Sequence, residues 1–218
     1  MTPSFEEQAL QRAYKQNGAR PVAYLDESYN VDQEHAESYY LMSAVVVHAD
    51  QRNLVRSGIK EIAQGNYWHT TKMRRSESGI AQIKQMLEYL ADPDGSEQSI
   101  ISCQTPVSLE DRSGEEARKQ TLTKLLTYLN SGQASCGAID LFVLEKRRDS
   151  KDRNRDSRIK TEAHNSGLIT QSVKLFQVSP ASEYLLWLPD LVANVYRHHI
   201  LGRSLDFEII RPITTVLK

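Results

Sequence analysis

Cysteine is scarce in this 218-residue chain: Cys103 and Cys136 stand alone, with no CxxC pair, which leaves out a disulfide framework and the usual structural zinc site and predicts reduced thiols. No apolar run approaches the roughly 20 residues that a spanning helix needs. Met1 to Lys15 is polar and mixed in charge, unlike the apolar stretch of a secretory signal. The expectation is a soluble cytoplasmic protein without membrane association. Excess positive charge is also lacking, since the formal net charge is −1, so a uniformly basic nucleic-acid coat is excluded and only local patches remain for such a role. No internal repeat is visible. What is present, 39% hydrophobic and 25% charged residues, suits one globular domain over residues 1–218 with a single sizeable core.

The most informative stretch is Pro21-Val22-Ala23-Tyr24-Leu25-Asp26-Glu27-Ser28. Residues suited to a buried strand run directly into two carboxylates and a hydroxyl, which reads as a strand whose tip faces a metal or a phosphate. Before it, Phe5, Ala9, Leu10 and Ala13 predict a helix over 4–16, with Ser4 and Glu7 at capping-box spacing. After a polar loop from Ser28 to Ser38, Tyr39 to Val47 predicts a second, antiparallel and central strand. Helices follow over 51–64, with Asp50 as cap, and over 78–90 on Ile80, Ile83, Leu87 and Leu90. Asp92-Pro93-Asp94-Gly95 is a turn, Ile100–Gln104 a strand, 113–130 a helix, and Ala138–Leu144 a strand ending in Glu145.

Residues 146–160 then hold eight basic and three acidic side chains, a local excess of five positive charges with almost nothing to bury, and read as a flexible basic loop. Leu168 to Val178 fits a strand or a helix. Pro189 either opens the helix that follows Glu183 or kinks a longer one. Phe207-Glu208-Ile209-Ile210 reads as a short last strand. Five strands bracketed by helices give an α/β class.

Acids delivered by two strand ends and a late helix suit two-metal phosphoryl transfer, because two divalent cations about 3.5 to 4 Å apart need several anionic oxygens between and around them. Asp26, Glu27, Glu145 and Asp190 supply that set, as metal ligands and catalytic groups for Mg²⁺ or Mn²⁺, with Asp140 the rival to Glu145. His69 is either a packed histidine or a catalytic one. Lys72, Arg74 and Arg75, beside Tyr67 and Trp68, either extend a nucleic-acid groove or cap a helix. Lys146, Arg147 and Arg148 at the rim of such a site suit a phosphate backbone. His198 and His199 are adjacent, so on a helix they point about 100° apart and do not grip one ion.

Tyr24-Leu25-Asp26-Glu27-Ser28, the aliphatic strand 41–47, His69-Thr70 and Leu186-Trp187-Leu188-Pro189-Asp190-Leu191-Val192-Ala193 together resemble the bacterial family called domain of unknown function 3800. The resemblance spans most of the chain and implies a ribonuclease-H-like mixed sheet flanked by helices and, by analogy with that fold, a metal-dependent nuclease acting on RNA or DNA. Asp26, Glu27 and Asp190 fall on that family's acids and His69 on its mid-chain histidine. Trp187, Pro189 and Tyr29 replace its frequent Gln, Ala and Gly, while Glu145 comes from strand position alone. Two other functions compete: a non-catalytic nucleic-acid-binding module with a degenerate site, and a sugar hydrolase using Asp26 and Glu145, for which aromatics outside the core are few.

Overall fold

Nine consecutive buried residues, Tyr39–Val47, form strand β2 at the centre of the molecule, and β1 (Val22–Asn30) pairs with it antiparallel from Val22↔Val47 to Asn30↔Tyr39. Both are dominated by β-branched, aliphatic and aromatic side chains, which fill a pleated surface well. In this computed structural model residues 4–31 and 37–217 are described; the predicted loop at 28–38 falls partly outside them, and its first residues continue β1.

The remaining strands are β3 (Gln98–Gln104), β4 (Leu141–Glu145), β5 (Lys174–Val178) and β6 (Thr214–Leu217). The sheet order is β5-β4-β1-β2-β3-β6, with β2 antiparallel to both neighbours and the β1–β4, β4–β5 and β3–β6 pairs parallel. This is the α/β mixed sheet expected, with six strands rather than five.

Because side chains alternate along a strand, each sheet face builds its own core. Val22, Tyr24, Val45 and Val143 pack under α1 (Phe5–Asn17), α2 (Arg52–Ala63), α4 (Glu77–Leu90) and α7 (Trp187–Ile200). Ala23, Leu25, Met42 and Leu144 pack on the other face under α5 (Glu115–Asn130) and α6 (Ser150–Asn165). Two short helices, α3 (Thr70–Met73) and α8 (Phe207–Ile210), complete the set. No helix among the described residues is long and apolar enough to cross a membrane.

Local chemistry accounts for most element ends. The capping box of Ser4 and Glu7 opens α1, and Asp94 N–H and Gly95 N–H bond back to Asp92 in the predicted turn. Asp50 caps nothing: α2 starts from Gln51 without a side-chain cap. Ile80, counted on the buried face of its helix, is exposed, while Met86 is buried in that face. The run 207–210 is helical, not extended, since Phe207 and Ile210 bury together at i and i+3; four apolar residues carry too little periodicity to tell the two apart.

The largest correction is α6. Asp149 caps it through the Lys151 amide, and its buried stripe is Asp156, Ile159 and Ala163. The first residue of that stripe is an acid, so hydrophobic periodicity does not register it. Arg118 makes it possible, donating to Asp156 at 2.7 and 3.0 Å with both side chains fully buried.

Helix α7 is fixed from both ends of its first turns. Glu183 caps the 3₁₀ turn Tyr184–Leu186 that leads into it, and accepts from Tyr14 at 2.7 Å and from Arg56 at 2.9 and 2.7 Å. Pro189 is the third residue of α7, where an amide has no intrahelical acceptor, so it neither opens nor kinks the helix. Its carbonyl accepts from the buried Ser43 hydroxyl at 2.8 Å, tying α7 to β2.

Candidate functional site

The parallel pairing of β1 with β4 stops at Leu25↔Leu144, while its pairing with β2 continues to Asn30. Asp26 therefore sits inside β1, not at its tip, yet at the point where β4 turns away and leaves that edge open. Beside the opening lies a cleft of about 870 Å³. Its walls come from the end of β1, the segment 66–72, the chain leaving β4 and β5, and the first three turns of α7.

Asp26 is buried on the α7 side, and its carboxyl is held well above the usual range by burial first and then by the negative charges of Glu145, Glu27 and Asp190. Glu145, the last residue of β4, lies beside Asp26; burial, then the negative charges of Asp190 and Glu27, push its pKa up to about 7. Asp190 lies in the first turns of α7 and accepts from the Thr70 amide at 2.8 Å and the Thr70 hydroxyl at 2.9 Å through one oxygen, Oδ2. Its Oδ1 lies 3.9 Å from His69 Nδ1. That acceptor and its charge raise the His69 pKa against partial desolvation, and half of the His69 side chain remains open to the cleft.

Glu27 follows Asp26 and so leaves the opposite face of the strand. There its Oε1 meets the buried Arg118 guanidinium at 2.8 Å, the same group that grips Asp156 and donates to Tyr40 at 2.8 Å. Asp26, Glu145 and Asp190 thus share one neighbourhood, and Glu27 touches it from the other side of the backbone. Asp140 is at the other end of β4, paired with Arg20 and bonded by Asn130 and Ser172.

Among the described residues no three His, Cys, Asp or Glu side chains stand in an arrangement that would hold a metal ion. Chemically, the donors nevertheless fit a hard divalent cation: three carboxylates whose burial and mutual repulsion disfavour their charged forms are the environment such an ion neutralises. Asp26, Glu145 and Asp190 would have to draw together to coordinate one.

Of the basic residues read from the sequence, Lys72, Lys146, Arg147 and Arg148 line the cleft. Lys146 reaches Glu6 at 2.5 Å and Arg147 reaches Glu115 at 2.5 Å, whereas Lys72 and Arg148 are exposed. Arg74 is turned inward to Asn194 at 2.6 Å and Asp206 at 3.0 Å, and neither it nor Arg75 is part of the cleft wall. Sequence reasoning missed Asn194 and Arg197, which follow Asp190 at i+4 and i+7 and line the same wall; stepping along the helical period from Asp190 would have found them. It also missed Arg118, because nothing in a polar-looking helix marks a buried arginine.

No family model matches this chain, and no curated protein matches it. Among solved structures, that of Bst-RNase HIII in complex with Mn²⁺ aligns over 88% of this chain at 12% identity with a TM-score of 0.50. A mutant of the same protein aligns over the same share with a TM-score of 0.43. The chain spans 57% of the length of the structures it matches. With the strand order and cleft already described, the likeness to the first of these establishes the fold: a ribonuclease-H-like mixed sheet flanked by helices.

Proposed function

We propose that this protein is a nuclease dependent on Mg²⁺ or Mn²⁺, hydrolysing phosphodiester bonds of RNA or DNA in the cleft beside β1. The observation that carries the reading is the convergence of buried Asp26 with Glu145 and Asp190 on the wall of one cleft. Interior packing gains nothing from three adjoining acids, since each adds repulsion and desolvation cost; a site that receives cations gains charge compensation from them. The Mn²⁺ in the matching ribonuclease HIII structure agrees with that choice of ion.

Asp26, Glu145 and Asp190 would hold the metal. A divalent cation there supplies positive charge for the oxygens of a reacting phosphate and lowers the pKa of water. Glu145, raised to about 7 without metal, would give up its proton on binding a cation and stay ionised as a ligand. His69, kept more basic than usual by Asp190, is placed at the open side of the site to protonate a leaving oxygen. Glu27 acts as a positioning residue, its carboxylate fixed by Arg118. Lys72 and Arg148, exposed and without an ion pair among the described residues, offer charge to the phosphate backbone.

A second reading, a nucleic-acid-binding module without catalysis, is favoured by one contact: Asp190 Oδ2 is already taken by both donors of Thr70. Labelled single- and double-stranded RNA and DNA, incubated with Mg²⁺ or Mn²⁺ and either wild type or Asp26→Asn, separate the two. Metal-dependent cleavage lost in the variant is expected. Binding with no cleavage under either ion would leave the second reading in its place.

A further inference from the structure

Two tyrosines in the cleft wall are exposed although the fold has apolar interior to offer them: Tyr29 at 56% and Tyr67 at 59%. Each is braced. The Tyr29 ring lies flat on its cross-strand partner Tyr40, with centroids 5.4 Å apart and planes 5° apart, and the Tyr40 hydroxyl is fixed by Arg118 at 2.8 Å. Tyr67 stands two residues before His69, with the Lys72 ammonium 5.2 Å from its ring centre. A ring held from behind with its surface open is a stacking platform, because it loses little rotamer freedom when a flat partner arrives.

We propose that the cleft takes single-stranded polynucleotide, with bases stacking on Tyr29 and Tyr67 while phosphates run past Lys72 and Arg148. In a duplex, neighbouring pairs cover both faces of each base, so tyrosine rings in a cleft wall find nothing flat to stack on. An unpaired strand presents a π-face at every base, whatever its sequence, and a cationic wall beside aromatic platforms is the arrangement that binds it. The inference rests on the nuclease reading only in assigning the cleft to nucleic acid.

The test is binding rather than cleavage. The full Asp26→Asn chain in EDTA, where neither hydrolysis nor the full carboxylate repulsion intervenes, is titrated with a labelled single strand of roughly 15 nucleotides and with the matching duplex. The single strand is expected to bind more tightly. Tyr29→Ala and Tyr67→Ala should each weaken it by about 5- to 100-fold, with Phe at either position restoring it and duplex binding barely changed. Equal affinity for the duplex, or indifference to both alanine variants, overturns the stacking proposal and leaves the nuclease reading standing. No binding of either form at low salt overturns the stacking proposal, while the nuclease reading stands or falls on cleavage by wild type with Mg²⁺ or Mn²⁺. Ring-dependent binding in a chain whose wild type cuts nothing with Mg²⁺ or Mn²⁺ upholds stacking and removes the nuclease.

Discussion

Arg118 and Asp156 meet through two hydrogen bonds of 2.7 and 3.0 Å with no side-chain surface left to solvent, and the same guanidinium carries Glu27 and Tyr40. One arginine thus joins α5, α6, β1 and β2. Removing Arg118 leaves Asp156 buried with only Arg147, 3.9 Å away, and Glu27 without its partner, whereas removing Asp156 leaves Arg118 with Glu27 and Tyr40. Arg118→Ala should therefore cost about 3 to 5 kcal/mol in urea unfolding, and Asp156→Ala less. A loss under about 1 kcal/mol in Arg118→Ala would show that water reaches the pair.

The Asp26–Glu145 contact gives stability a pH dependence. Glu145 moves from 4.5 to about 7 on folding, and Asp26 also moves up, so the folded chain binds protons more tightly than the unfolded one. The resulting stability is fully present below about pH 4.5 and is lost as pH rises through 7. Melting temperatures in EDTA should fall between pH 5 and 8, and Glu145→Gln should flatten that fall. An unchanged slope in the variant counts against the coupling.

A cation should reverse the loss. At pH 8, Mn²⁺ at a hundredfold excess over its Kd stabilises a folded site by about 2.7 kcal/mol. The rise in melting temperature belongs to wild type and should vanish in Asp26→Asn, which should itself be more stable than wild type without metal. Equal metal shifts in both proteins would place the ion elsewhere.

Acid should act through His198 in the opposite sense. Burial, then Arg74, Arg197 and Arg203, depress its pKa to about 4, so the folded chain refuses a proton that the unfolded chain accepts. Its share of stability is lost as pH falls from 6.5 through 4, a modest effect because the ring is partly exposed and screened. An NMR titration of the His198 ring should show it neutral at pH 5; a midpoint near 6.5 would mean that solvent screens the three arginines.

The basic residues divide by geometry. Lys72→Ala and Arg148→Ala should weaken polynucleotide binding and each lower the salt slope by about 0.7 to 0.9 per phosphate contact removed. Arg74→Ala should lower thermal stability instead, because its guanidinium joins Asn194 to Asp206. A steep loss of binding in a fully stable Arg74→Ala protein would reassign it.

What could be read from the sequence had local causes. Ser4 and Glu7 announce α1, and the runs at 22–25 and 39–47 announce β1 and β2, because caps and apolar patterning act over a few residues. Asp26 and Glu145, nearly 120 residues apart, share in the sequence only a strand-end position; the parallel pairing of β1 with β4 brings them together. Helix α6 could not be read that way. Its anchor, Asp156, becomes a buried residue only once Arg118 arrives from α5, and such a partner leaves no periodic mark. Glu27 shows the reverse: two adjacent acids look like one motif, while the pleat sends them to opposite faces.

Asp190 holds its neighbours with two oxygens that do different work: Oδ2 closes the start of α3 through Thr70, and Oδ1 faces His69. Rotation of that carboxylate toward an ion would loosen the start of α3, so Asp190 links the seating of an ion to the imidazole and to α3. Thr70→Val takes one hydrogen bond from Oδ2 and the acceptor from Trp68 Nε1 while sparing every acid, so the hold on this carboxylate is adjustable from a buried residue outside the cleft wall.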